Sequence, residues 1–514
     1  LQAIIREMQE ICSLYTNNEL SIGKIVALSH SNFKKIKAIY KGLDCEQQKK
    51  CVDFLEEVLE TDEPQLSIYH SSCLLEITEQ EKYLHQLITL ALSPERTLQQ
   101  KYFIYWQLIH KTFVKPALLS ATVKLELYMF YKHIFQGFKR RLADNKQWIP
   151  ATERNRNLIV LMANQLLNIG HGPTRTVIDR YRALKKLGKE VYIINTAELP
   201  RAALLPVFDP SIATLVEKFN EITTQFPLYQ CRDIMPNEQE MAKILEFIAS
   251  NKPEFIFSIG APNITADLCS SMVPVATLAN SFELPVTEGT FHLLPRELGE
   301  QDKDFLKKCG IDRKQIIETE YTYQFEPPVS LCTRQELGIP EDNFAVVVVG
   351  NRLDSEITMD YAQQIHEFLA RNPETFISFI GKFDNFPRFN VQFITFQQQT
   401  NYLMYRKDLA SVYDCCDAYL NPPRLGGGSS AAEALSRGLP VFTFPFGDVS
   451  YTAGQRYHIH SFTDIEKFIA KWRQKPEFRE TEKQAAKARA AAISDTDGVM
   501  EKILTTIYSS DLFQ

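Results

Sequence analysis

The sequence predicts an α/β protein: two domains with parallel sheets facing a cleft, preceded by an all-helical domain. Three observations carry this. Over residues 1–150, apolar residues recur three or four apart in helix-length runs. Residues 151–330 and 331–514 each alternate short apolar strands with helices, the rhythm of units that build parallel sheets. At 514 residues the chain exceeds a single hydrophobic core and suits three units.

The helical runs are LQAIIREMQEICSLY, QKKCVDFLEEVLE, EKYLHQLITLAL, QKYFIYWQLIHKTFV and ALLSATVKLELYMFYKHIFQGFKRRLA. SPERT, Ser93–Thr97, reads as a helix start with Pro94 in first position. Tyr102, Phe103, Tyr105 and Trp106 are expected in the core, with a partner-docking groove as the alternative. The pattern changes at QWIPATERNRN. LIVLMAN, Leu158–Asn164, predicts a buried strand, followed by a loop, a helix over Thr174–Gly188 and a strand over Glu190–Thr196. EQEMAKILEFIASN and FIFSIG add another helix and strand, and a further strand is expected from Val273. PPVSLCTRQELGIPEDN is a Pro-marked joint. Beyond it AVVVVG, FISFIG, VQFITF, DAYLN and PVFTF predict strands, and DTDGVMEKILTTIYSSDLF a closing helix.

The composition, 45% hydrophobic and 23% charged, is that of a folded globular chain. A net charge of -6 argues against nucleic acid as partner. No apolar run reaches the roughly 18–20 residues of a transmembrane segment. The N-terminus lacks an apolar signal core, so the expected compartment is cytoplasmic. The ten cysteines are scattered without a CxxC and read as buried thiols. His458 and His460 lack companion ligands, so no metal site is expected.

Parallel sheets place ligands beyond the C-terminal ends of their strands. Three strand ends in the last domain carry suitable residues: Asn351 and Arg352, then Lys382, then the loop RLGGGSSAAEALSRG from Arg424. Gly426, Gly427 and Gly428 allow a ligand close to the backbone. Ser429 and Ser430 are expected to cap the helix that follows, whose first N–H groups attract anions. Glu433 lies further in, suited to accept hydrogen bonds from a ribose rather than to meet phosphate. Arg352 and Lys382 would neutralise a diphosphate. In the middle domain His171 is the best general-base candidate, with Arg175 and Thr176 following, and His292 is second. GxGxxG after the first strand, GxxxxGK[ST] and GxSxG are all absent, which disfavours a dinucleotide oxidoreductase, a P-loop kinase and a serine hydrolase.

EALSRGLPVFTFP resembles the donor-nucleotide segment of GT-B-type glycosyltransferases, whose two Rossmann-like domains face a cleft. Many retaining members carry two glutamates here. Glu433 matches the second, while Leu425 stands at the first, which counts against that subclass. The segment is more similar to that of the group containing the eukaryotic O-GlcNAc transferase and the bacterial adhesin N-glucosyltransferases. That resemblance implies that Ser429 and Ser430 bind the diphosphate and that Glu433, where the group usually has Asp, meets the ribose. It implies that His171, in HGPTRT, faces sugar or acceptor, and that Lys382 is a phosphate-binding lysine. The bacterial members also place a helical domain before the two α/β domains. The expected activity is metal-independent transfer of a hexose from a UDP-sugar, as substrate rather than resident cofactor, to Asn or Ser/Thr of a polypeptide. A glycan or small-molecule acceptor, a non-catalytic accessory protein and a sugar-nucleotide epimerase are the rivals. Donor sugar, stereochemistry and oligomeric state stay open.

Overall fold

The computed structural model describes residues 2–4, 6, 7, 10, 32, 35–58, 64–166, 171–198, 227–231, 233, 235–325, 327 and 331–514. The helix expected over the first fifteen residues and part of the loop before His171 lie largely outside these.

The N-terminal region is helical, with Cys45–Val58, Pro64–Thr78, Glu81–Ala91, Leu98–Val114 and Ala121–Leu142 in order. The helix expected to start at Pro94 starts at Leu98. Thr97 and Gln100 form a reciprocal capping box that satisfies two otherwise orphaned N–H groups, which Pro94 cannot do. Tyr102, Phe103, Tyr105 and Trp106 are buried in this helix. Their cluster is continuous with Val160, Met162 and Ile256 of the first sheet. Two carboxylates reinforce the joint. Tyr131 donates to Asp267 at 2.6 Å, and Tyr128 donates to Glu288 at 2.6 Å.

The first sheet has seven parallel strands in the order β3-β2-β1-β4-β5-β6-β7. They are β1 (Asn155–Ala163), β2 (Glu190–Asn195), β3 (Leu228–Gln230), β4 (Pro253–Ile259), β5 (Val275–Leu278), β6 (Phe291–Leu294) and β7 (Ile316–Glu318). The second has five parallel strands in the order β10-β9-β8-β11-β12. These are β8 (Phe344–Gly350), β9 (Thr375–Gly381), β10 (Thr400–Tyr402), β11 (Ala418–Leu420) and β12 (Val441–Phe442). In both orders the chain reverses direction at its first strand, β1 or β8, which opens a crevice at that strand's C-terminal end.

One expected strand is absent. VQFITF instead lies across the helices Phe386–Gln392 and Ile394–Gln399. Phe383, Phe386, Phe389, Phe393 and Phe396 recur three or four apart and all enter one buried cluster, so the helical period outweighs local β propensity. The closing helix, Thr496–Tyr508, returns to the first lobe and packs on the Gly172–Lys186 helix. Lys186 pairs with Asp497 at 2.7 Å, and Tyr508 donates to Glu254 at 2.8 Å.

Candidate active site

The glycine-rich loop leaves β11 and turns into the Gly428–Ser436 helix. Neither serine caps this helix. Gly427 is the N-cap at φ +106°, and it offers no side chain to the first turn. Two contacts impose this arrangement. The Ser430 hydroxyl donates back to the Gly427 carbonyl at 3.0 Å and lies 3.1 Å from the Tyr419 hydroxyl. At Gly428 a Cβ would fall 2.5 Å from the Tyr323 Oη, so no side chain fits. The helix therefore presents its partial positive end without a side-chain cap. Ser429 is exposed, and Glu433 follows four residues later on the same face, half-buried.

Arg424 holds this loop and was not singled out from the sequence. It is buried and engages on all sides. Its Nε donates to Asn421 at 2.7 Å, and Nη1 meets the Glu356 carboxylate at 2.9 Å. Nη2 donates to the Val349 carbonyl at 2.8 Å and to the Tyr419 hydroxyl at 2.9 Å. A buried guanidinium this fully bonded is a brace that ties the end of β8 to the glycine loop. In sequence it looks like any surface arginine beside a turn.

Arg352 follows β8 and shares the same carboxylate, with Nε 3.2 Å from Glu356. Its Nη2 would lie 3.4 Å from a Cβ on Gly426, so its charge reaches the glycine loop. Asn351 is exposed beside it, with Oδ1 3.2 Å from a Cβ built on Gly381. Lys382 is joined to this corner through its backbone, whose N–H donates to the Gly350 carbonyl at 3.1 Å. Its side chain is exposed, and Nζ lies 3.8 Å from Asp384.

The first lobe meets this helix with another helix start. His171 occupies the N-cap position of the Gly172–Lys186 helix, and its Nδ1 lies 3.4 Å from the Thr174 hydroxyl. A Cβ on Gly172 would be 3.0 Å from the Ser429 Oγ, so the two helix starts touch across the cleft. Arg175 continues this turn through its N–H to the His171 carbonyl at 3.0 Å. Thr176 turns away to the Tyr321 hydroxyl at 2.9 Å. His292 is not a cleft residue. It lies fully buried on β6, and burial pulls its imidazole down to about 4, which keeps it neutral.

Asp448, at the start of the Gly447–Ala453 helix, was also missed. Its Oδ1 accepts from the Phe282 N–H of the first lobe at 3.1 Å, and the Phe282 ring stacks on Tyr451 at 5.1 Å. Part of the residue meets solvent, but its carboxyl end is enclosed. Burial pushes that carboxyl up to about 7, opposed by the Phe282 N–H, reinforced by Glu283 and opposed again by Arg352. Its Cβ lies 3.5 Å from a Cβ built on Gly428.

Among the described residues no group of three or more His, Cys, Asp or Glu is placed to hold a metal ion. No helix among them is long and apolar enough to cross a membrane. The cysteines described are all free, and most are buried.

Neither a protein-family model nor a curated protein matches this sequence. Solved structures do match its shape. A mutant O-GlcNAc transferase from Thermobaculum terrenum superimposes with a TM-score of 0.56 at 14% identity, over 100% of this chain and 98% of that one. A glycosyltransferase from Rickettsia africae does so with a TM-score of 0.50 at 12% identity, over 69% of this chain and 98% of that one. With its two sheets, the crevice between them and its N-terminal helices, the chain has a GT-B-type α/β fold.

Proposed function

We propose that this protein is a glycosyltransferase that moves a hexose from a UDP-sugar to an Asn or Ser/Thr side chain of a polypeptide. The observation that carries this reading is the uncapped start of the Gly428–Ser436 helix, facing the other lobe at Gly172. Its amides and the Arg352 guanidinium suit a diphosphate. Ser429 lies at the same end, and Glu433, one turn on, suits the ribose hydroxyls.

In the reaction the bond from the sugar C1 to the β-phosphate oxygen breaks and UDP departs with the bonding pair. The acceptor oxygen or nitrogen forms the new bond to C1. Charge developing on the departing phosphate falls on Arg352 and the helix amides, which are already oriented and need no reorganisation. His171 faces the sugar or acceptor across the cleft. It takes the acceptor proton if C1 inverts; if C1 is retained, the departing β-phosphate oxygen takes that proton and His171 orients the sugar. Lys382 contributes as an exposed cation at the same rim, by swinging from Asp384 toward the phosphates. A polypeptide acceptor is supported by the helical domain, which is built into the first lobe through a shared core and two tyrosine–carboxylate bonds.

The test begins with nucleotides. Calorimetry should show UDP binding more tightly than ADP or GDP. UDP-hexoses are then incubated with protein and peptide acceptors, and the products are read by mass spectrometry. A gain of one hexose on a peptide is expected. Transfer only to glycans or small molecules would replace the acceptor assignment. Interconversion of the free UDP-sugar without any acceptor would make the chain an epimerase. Failure to bind any nucleotide would overturn the reading.

A further inference from the structure

The helical domain reaches the donor loop through Phe113. Phe113 sits at the C-terminal end of the Leu98–Val114 helix. Its ring lies under the Arg352 guanidinium, with the guanidinium carbon 4.6 Å from the ring centroid. A Cβ on Gly426 would be 3.2 Å from the Phe113 Cζ and 3.4 Å from the Arg352 Nη2. Three distant parts of the chain thus converge: the helical domain, the end of β8 and the glycine loop.

This contact does not look like core packing. Among the described residues, Phe113 belongs to none of the buried apolar clusters and is not among the half-buried residues packed on them. Its neighbours on the helix turn back into their own domain. Lys111 pairs with Glu76, and Lys115 pairs with Glu79 at 2.8 Å. The half-buried ring leaves its face to Arg352.

Arg352 is the residue that gains from it. An arginine side chain has many rotamers, and ordering it opposes binding. Here Nε is held by Glu356, whose other oxygen is held by the buried Arg424. The guanidinium sits over the Phe113 ring, and its Nη2 end lies against Gly426. A guanidinium seated over an aromatic ring is steadied without consuming its donors.

We propose that Phe113 is a positioning residue for the donor. Through its ring, the helical domain fixes Arg352 at the phosphate end of the site and so sets donor affinity. The proposal rests on the reading of the glycine loop as the donor-phosphate site. Docking of the helical domain and binding of the nucleotide diphosphate are thereby coupled across domains.

The test uses the full chain and UDP as probe, with calorimetry for affinity and donor hydrolysis or transfer for KM and kcat. Phe113→Ala should weaken UDP roughly tenfold and raise the donor KM in proportion, and kcat should fall as well, because the displaced Arg352 also meets the departing phosphate. Phe113→Tyr should restore affinity, because it keeps the ring face. Phe113→Leu keeps apolar bulk without that face, and should fall with Phe113→Ala. In a double-mutant cycle with Arg352→Met, loss of Phe113 should cost little once the guanidinium is gone. Equal UDP affinity in folded wild type and Phe113→Ala overturns the proposal, as does full restoration by Phe113→Leu or an additive cycle. If Phe113→Ala does not fold, the Leu and Tyr pair decides the matter alone. Wild type that binds no nucleotide overturns the donor-site reading, and this inference with it.

Discussion

The two lobes meet the cleft with the same device and fill it differently. In each, the crevice at the C-terminal ends of the strands is bordered by a helix whose start carries no side-chain cap: Gly172–Lys186 in the first lobe and Gly428–Ser436 in the second. The first begins with His171, Pro173 and Arg175, and offers side-chain chemistry. The second begins with Gly427, Gly428 and Ser429, and offers backbone. A histidine imidazole can move a proton, while bare amides can only hold charge. On the proposed reading, the difference gives proton handling to one wall and anion holding to the other.

The largest effect should come from the side-chain wall. His171→Ala is expected to lower turnover roughly a hundredfold or more. UDP affinity by calorimetry should stay within about twofold. A parallel loss of affinity would merge the two roles and break the comparison.

The backbone wall should respond to any added atom. Gly428→Val places carbon where the Tyr323 Oη lies 2.5 Å from the Cβ position, so the turn must shift. UDP affinity should fall on the order of a hundredfold, equal to about 2.7 kcal/mol. Binding that survives in a folded variant would move the anion site elsewhere.

A smaller loss is expected at the ribose. Glu433→Ala should weaken UDP about tenfold, within the range of hydrogen bonds to a charged group. Wild type should bind 2′-deoxy-UDP or 3′-deoxy-UDP correspondingly less well, while Glu433→Ala should no longer discriminate. Equal discrimination in both proteins would detach Glu433 from the ribose.

The smallest effect concerns the seam between the walls. The Asp448 carboxyl is raised from its ordinary 3.8 to about 7, so the folded protein favours its protonated form. Its stabilising contribution is therefore complete below pH about 4 and is lost as pH rises through about 7. Asp448→Asn keeps an oxygen for the Phe282 N–H and removes the titration. Between pH 5 and 8, wild-type thermal stability should fall more steeply than that of the variant. Parallel curves would show that the carboxyl does not titrate there.

Reading strands from apolar runs worked where the run had no competing period. AVVVVG and FISFIG became the central strands β8 and β9, because side chains buried on both faces leave an uninterrupted apolar pattern. VQFITF failed because the phenylalanines flanking it repeat at helical spacing, a signal visible only over a longer window. The serine cap failed for a related reason. Ser429 and Ser430 are good caps in isolation, but the Tyr419 hydroxyl and Gly427 carbonyl claim Ser430, and the glycine turns one residue earlier. His292 reads from sequence as a second cleft candidate, because nothing local marks the short strand around it, Phe291–Leu294.

The sequence by itself determined most of the strand–helix alternation and the glycine-rich turn into a helix, because those patterns are local. Only the tertiary structure decided that Gly172 faces Ser429, that Arg424 braces the loop, that Asp448 joins the lobes and that Phe113 underlies Arg352. Those contacts link residues from 68 to 257 positions apart. They arise from the packing of whole lobes, and no local pattern of side chains encodes which distant surface a given residue will meet.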